Sequence, residues 1–129
     1  LIDDPCSGTG NIRRSLKTVT IWNPSMITRL AKTQLDLLQT AYNALKPNGV
    51  VVYSTCSTEP EENEGVIDEF IKLHPEATID KIQIDGIKSS GAVVEFEGKK
   101  FDSKVMNCLR LWPQENDTEG FFVARIIKS

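Results

Sequence analysis

Cysteine is scarce in this chain: three residues in 129, an odd number at irregular spacing. That excludes a disulfide framework and a paired zinc ribbon, and it fits a reducing, cytoplasmic compartment. Long apolar runs are lacking too. No stretch approaches the length of a membrane span and no signal-peptide pattern opens the chain, so no membrane partner is expected. Positive charge is also in short supply. Fifteen Lys and Arg against 18 Asp and Glu leave a net charge of −3, whereas self-sufficient nucleic-acid binders are usually basic. Histidine occurs once, at His74, and the set Cys6, Cys56, Cys108 and His74 contains no close ligand pair, so no metal is expected. Internal repeats and low-complexity segments are absent.

What is present is ordinary for one globular domain. Hydrophobic residues make up 40% and charged residues 26% of the chain, and the length suffices to bury a core. Asn23-Pro24 signals a helix start, with a cap candidate and proline in the first turn. Leu30, Ala31, Leu35, Leu38, Ala41, Tyr42 and Leu45 then recur at helical spacing. Pro47-Asn48-Gly49 ends that helix. Val50 to Tyr53 is apolar at every position, the pattern of a strand covered on both faces of a parallel sheet. Thr58 and Glu61 fit a capping box with Pro60 in the first turn. Val66, Ile67, Phe70 and Ile71 form the buried stripe of a second helix that stops near His74-Pro75.

Strand, helix, strand, helix is half of a doubly wound α/β fold. The expected class is therefore a partial Rossmann-like sheet of parallel strands with helices. The stretch from Glu76 to Asn107 is less regular: Ile82-Gln83-Ile84 and Val93 to Phe96 read as short strands, and Glu97-Gly98-Lys99-Lys100 as a turn. Leu109 to Trp112 and Phe121 to Ile127 are expected to pair as an antiparallel hairpin at the sheet edge. Gly8-Thr9-Gly10 lacks the third glycine of a dinucleotide loop and reads as a permissive turn.

Two cysteines each lie just beyond a short apolar run. One is in Leu1-Ile2-Asp3-Asp4-Pro5-Cys6-Ser7-Gly8, the other in Val50-Val51-Val52-Tyr53-Ser54-Thr55-Cys56-Ser57. Side chains just past the carboxyl ends of parallel strands face the ligand crevice. Adjacent strands lie about 4.8 Å apart, so both thiols would open into one cleft beside Asp3. Spacing alone does not say which thiol does what.

The same residues carry a resemblance. Asp3 to Gly10 is similar to the Asp-Ala-Pro-Cys-Ser-Gly-x-Gly block of the Sun/Fmu-type S-adenosylmethionine-dependent RNA cytosine-5 methyltransferases, with Asp4 in place of Ala. Tyr53 to Glu64 matches their Tyr-Ser-Thr-Cys-Ser-x-x-Pro-Glu-Glu-Asn-Glu block without a break. Leu109-Arg110-Leu111-Trp112-Pro113 and Gly120-Phe121-Phe122-Val123-Ala124-Arg125 look like the family's closing hairpin, where Gln114 replaces the usual His and Glu119 the usual Asp. The resemblance implies methyl transfer from S-adenosylmethionine to carbon 5 of a cytosine in tRNA or ribosomal RNA. It implies Cys56 as the nucleophile, Cys6 as the residue that assists product release, and Asp3 in contact with the pyrimidine and the methionine end of the cofactor.

The chemistry suits those residue types. Carbon 5 of cytosine is a poor nucleophile until a thiolate adds at carbon 6, an instance of covalent catalysis, and an acid that shares a proton with the ring nitrogen speeds that addition. By the same resemblance residues 1–129 are expected to be the C-terminal half of a catalytic domain, with the cofactor-gripping half outside it. Such a fragment is expected to be inert alone and either to self-associate or to be only marginally stable.

Other residues have plainer readings. Arg13, Arg14 and Lys17 follow the Cys6 loop and are candidates for RNA phosphates, or a solvated cluster. Cys108 reads as a small core residue, His74 as a solvated surface residue, and Trp22 and Trp112 as core rather than base-stacking platforms. Glu61, Glu62 and Glu64 are accounted for by a helix N-terminus, and Asn63 is a candidate for tying the loop together. Asp4 beside Asp3 either raises one carboxyl's pKa or points into solvent. Two rival functions remain at this level: an exocyclic-amine methyltransferase, which needs no thiol, and a non-catalytic RNA or protein interaction domain that retains the fold.

Overall fold

The computed structural model describes residues 2–3, 6–9, 23–82, 84–86, 89, 91–116 and 120–129, and for Ile2, Asp3, Glu115 and Asn116 the backbone alone. Strand β1 (Ile2–Asp3) is followed by helix α1 (Pro24–Ala44), strand β2 (Val50–Thr55), a 3-10 turn (Pro60–Glu62) and helix α2 (Glu64–Leu73). Then come β3 (Thr78–Asp80), β4 (Glu95–Phe96), β5 (Lys99–Lys100), a second 3-10 turn (Ser103–Asn107), β6 (Leu109–Leu111), the short helix α3 (Pro113–Asn116) and β7 (Phe121–Ile127).

Helix α1 begins where the sequence says it should. The Asn23 side chain accepts from Met26 N at 2.8 Å and Pro24 occupies the first turn, a cap worth about 1 kcal/mol. At its other end the chain turns sharply. Asn48 adopts a φ of 66°, and a Cβ on Gly49 would stand 2.8 Å from the Lys46 carbonyl oxygen. Glycine is therefore required there by close approach rather than by its own φ. The last turn of α1 has no basic residue of its own. Lys128 supplies one from across the sheet, with Nζ 3.0 to 3.3 Å from the carbonyls of Tyr42, Asn43 and Leu45.

The sheet runs β1-β2-β7-β3, with β6 also paired to β7. Only β1 and β2 are parallel among the described strands, with Ile2 opposite Tyr53 and Asp3 opposite Ser54; β7 is antiparallel to β2, β3 and β6. The α/β class thus holds, with parallel pairing confined to the first two strands. The expected terminal hairpin forms, Leu109 facing Val123, but β7 is not an edge strand. It lies inside the sheet, β2 on one side, β3 and β6 sharing the other.

Both long helices cover one face. Leu38 and Tyr42 of α1 and Val66, Ile67, Phe70 and Ile71 of α2 join Val51, Tyr53, Ile79, Phe122, Ala124 and Ile126 in one core cluster. Each such side chain contributes about 1.5–3 kcal/mol of burial. Along β2 burial alternates, so the expectation of a strand covered equally on both faces is corrected: Val50 is exposed and Val52 and Ser54 are half-buried. The apolar run reflects one packed face and one partly covered one.

Between β3 and β6 the reading of short strands needs correction. Ile82 and Ile84 lie in no strand, and Ile84 is 52% exposed; Gln83 is outside the described residues. The strand is four residues earlier, where Thr78–Asp80 pairs with β7 and Asp80 forms an ion pair with Arg125 directly opposite. Val93 and Val94 are likewise outside the strand, which is limited to Glu95–Phe96 and pairs with Lys99–Lys100 around Glu97 and Gly98. Both turn residues have positive φ, 50° and 78°, the conformation of a tight two-residue hairpin. No helix among the described residues is long and apolar enough to cross a membrane.

Candidate active site

Strands β1 and β2 run in parallel, so their carboxyl ends lie side by side and the segments beyond them emerge together. Cys56 is the first residue past β2 and Cys6 the third past β1. Their Sγ atoms are 3.0 Å apart, both half-buried, and neither is in a disulfide. The expectation that the two thiols lie together is met. Cys6 is held protonated: its hydrogen bond to Cys56 first, and burial second, push its pKa well above the ordinary thiol range. The two sulfurs share one hydrogen bond, in which either thiol can be the donor.

A buried polar cradle fixes these two loops. Glu62, 0% exposed, accepts from Ser7 N at 2.8 Å and Gln34 Nε2 at 3.0 Å through Oε1. Its Oε2 accepts from Ser7 Oγ at 2.6 Å and Ser57 Oγ at 2.5 Å. Thr9 Oγ1 receives Thr58 N at 2.9 Å and sits 3.2 Å from Ser57 Oγ. Gly8, at φ 72°, makes the bend between Ser7 and Thr9 that brings both hydroxyls inward. Asn63 does tie the loop: Nδ2 donates to the Ser57 carbonyl at 2.8 Å and Oδ1 accepts from Thr55 Oγ1.

A second tie runs to the far strand. Arg110 and Glu64 are both fully buried and meet in a bidentate pair, Nε to Oε2 at 2.6 Å and Nη2 to Oε1 at 2.5 Å. Arg110 Nη1 reaches the Thr58 carbonyl at 2.9 Å, anchoring the Cys56 loop to β6. Its guanidinium also lies 4.5 Å from the Trp112 ring centre.

Several expectations change at this point. There is no capping box: Thr58 bonds Thr9, and no side chain caps the 3-10 turn or α2. Glu62 and Glu64 are not solvated dipole partners but buried anchors, and only Glu61 keeps partial exposure. His74 is not a solvated residue. Its ring stacks on Phe70 at 4.7 Å and its Nδ1 lies 3.5 Å from Glu76. Trp112 is half-buried against Arg110 rather than in the core cluster. Cys108 is in the core, as read, and burial raises its thiol pKa strongly.

Asp3 ends β1 opposite Ser54, and its side chain lies outside the description. Asp4, Arg13, Arg14, Lys17 and Trp22 also lie outside the described residues. The polar anchors Ser7, Gln34, Ser57, Glu62 and Arg110 were not singled out from sequence. One signal existed for Glu64: with Ile67 and Ile71 it occupies one helical stripe, at i, i+3 and i+7, so its carboxylate had to be buried and paired.

Residues 1–127 match the family described as 16S rRNA methyltransferase RsmB/F. The chain belongs to this family. Among curated RsmB/F relatives and their kin, the chain is 41% identical over 128 residues to tRNA (cytosine(49)-C(5))-methyltransferase of Pyrococcus abyssi, covering 99% of this chain and 40% of that protein. It is 39% identical over 128 residues to ribosomal RNA small subunit methyltransferase F of Vibrio atlanticus, covering 25% of that protein. A methyltransferase homologue from Pyrococcus horikoshii superimposes with a TM-score of 0.80 at 33% identity, over 99% of this chain and 38% of that one. The chain thus spans about a quarter to two fifths of the relatives it matches.

Proposed function

We propose that this chain carries the base-handling part of an S-adenosylmethionine-dependent RNA cytosine-5 methyltransferase acting on tRNA or ribosomal RNA. One observation carries the reading: two thiols 3.0 Å apart just past the ends of adjacent parallel strands. Membership of the RsmB/F family supports it. An exocyclic-amine methyltransferase has no use for such a pair.

Cys56 is the nucleophile. Its sulfur bonds to carbon 6 of the cytosine, and the ring electrons released make carbon 5 nucleophilic. S-adenosylmethionine, when bound, supplies the electrophilic methyl group. Transfer of the carbon 5 proton to a solvent base then re-forms the double bond as the carbon–sulfur bond breaks, returning the electron pair to Cys56. Cys6 assists this release: its sulfur lies 3.0 Å from the sulfur that must leave, and it keeps its proton. Asp3, which closes β1 at the same sheet end as the thiols, would border the cofactor's methionine end. Arg13, Arg14 and Lys17 meet RNA phosphates.

RNA carrying 5-fluorocytosine tests the assignment, because fluorine cannot leave as a proton does. Wild-type protein should be trapped on it covalently, whereas Cys56→Ala should give no adduct; an adduct with Cys56→Ala refutes the nucleophile. We also propose that residues 1–129 are the C-terminal half of the catalytic domain; the shares of 40% and 25% of two relatives support only that the chain is a part. The 129-residue chain alone should not bind S-adenosylmethionine in isothermal titration, since a ligand gripped at one edge does not offset its lost translational freedom. Micromolar binding would show that the half-domain reading is mistaken.

A further inference from the structure

We propose that Glu62 is the positioning residue that sets the separation of the two thiols. This rests on the reaction proposed above but is testable apart from it. Cys6 and Cys56 stand on different segments, and strand pairing ends at Asp3 and Thr55, short of Cys6 by three residues. Something past the sheet must hold the loops together. Each cysteine is followed by a serine, and one carboxylate oxygen, Glu62 Oε2, accepts from both: Ser7 Oγ at 2.6 Å and Ser57 Oγ at 2.5 Å.

The other oxygen binds the backbone N–H of Ser7 at 2.8 Å, which fixes the peptide joining Cys6 to Ser7. Glu62 is itself immobile. Gln34 of α1 holds Oε1 at 3.0 Å, and the Tyr53 hydroxyl donates to the Glu62 carbonyl at 2.6 Å. With no exposed surface and four donors on about four lone-pair sites, the carboxylate has no free acceptor for a substrate proton. It is not a general base for carbon 5. It acts through the sulfurs, keeping the releasing thiol within reach of the base attached to the other.

Glu62→Gln tests this in the full-length protein, because it keeps the volume and removes one shared acceptor. Two quantities are read below the melting temperature. One is kcat and KM for RNA. The other is the equilibrium fraction of Cys6–Cys56 disulfide in a glutathione buffer, where oxidised glutathione accepts the two electrons and leaves as two thiols. Pairing reports the separation of the sulfurs and needs neither RNA nor cofactor.

Glu62→Gln should lower the pairing constant about tenfold and kcat on the order of 10- to 100-fold, the range for slight misplacement of reacting groups, with KM nearly unchanged. Adding Ser57→Ala should then cost little more, since both changes break one linkage. Wild-type pairing in Glu62→Gln overturns the proposal, whether or not kcat falls. Should Glu62→Gln fail to fold, Ser57→Ala, which deletes one hydroxyl, is read the same way with the same two outcomes. A wild-type protein that pairs its thiols but methylates no RNA would sink the proposed reaction and leave the positioning role to be decided by pairing alone.

Discussion

Glu62 and Glu64 stand two residues apart and both are sealed from solvent, yet their surroundings differ in kind. Glu62 is held by neutral donors: two hydroxyls, a backbone amide and a side-chain amide. Glu64 is held by a guanidinium, with one further bond from Val93 N at 2.8 Å. The first arrangement gathers two loops onto one point and stands beside the thiols. The second neutralises charge and staples α2 to β6. A buried ion pair resists removal of one partner far more than its net contribution suggests, whereas a carboxylate fed by neutral donors loses less when it is neutralised.

The largest expected effect breaks the second arrangement. Arg110→Met should destabilise the protein by about 3–5 kcal/mol, because Glu64 is left buried and uncompensated. Urea unfolding measures it, and adding Glu64→Gln should recover part of the loss. A fall as large in Glu64→Gln, Arg110→Met as in Arg110→Met alone would show that packing, not charge, dominates there.

Glu62→Gln should cost less, about 1–2 kcal/mol by the same measurement, since it breaks hydrogen bonds from neutral donors and leaves no unpaired buried charge. If it equalled Arg110→Met, the contrast between the two carboxylates would be void.

The smallest effect separates the two regions by pH. Cys6 and Cys108 both keep their protons in the folded state above the ordinary thiol value of 9.0, Cys6 through Cys56 and burial, Cys108 through burial and then the Glu64 charge. The unfolded chain ionises at that value. Folding is therefore undiminished below pH 9 and weakens as pH rises above it, by about 1.4 kcal/mol per pH unit for a fully buried thiol such as Cys108. Cys108→Ala should flatten part of that alkaline loss in melting scans while leaving the thiol pair intact. An unchanged slope would mean that Cys108 ionises freely in the fold.

Much of the frame was legible because it depends on near neighbours. Asn23-Pro24 and the spacing from Leu30 to Leu45 specify α1, and the stripe from Val66 to Ile71 specifies α2. The thiol pair was legible because two strands with a cysteine past each end admit few arrangements. Strand β3 was not, since three residues carry too little alternation and Ile82 and Ile84 offered a stronger but misleading pattern. The polar anchors were hidden for a different reason. Glu62 finds Ser7 and Gln34, and Glu64 finds Arg110, across 55, 28 and 46 residues, and nothing local marks an acidic side chain as one that a distant donor will satisfy.

The place of β7 bears on how the protein is made. It is the last strand of this chain, yet it lies between β2 and β3, and every antiparallel pair of the main sheet uses it. As the chain leaves the ribosome, β1, β2 and both long helices are available early, but the flank of β2 stays open until Phe121–Ile127 emerges. An open strand edge of Val50 to Thr55 invites pairing with other chains, and nascent chains with unpaired edges are prone to aggregate. Synthesis that stalls before residue 121 should therefore leave a product that chaperones must hold, and covering the open flank of β2 must wait for Phe121–Ile127 to slot between β2 and β3.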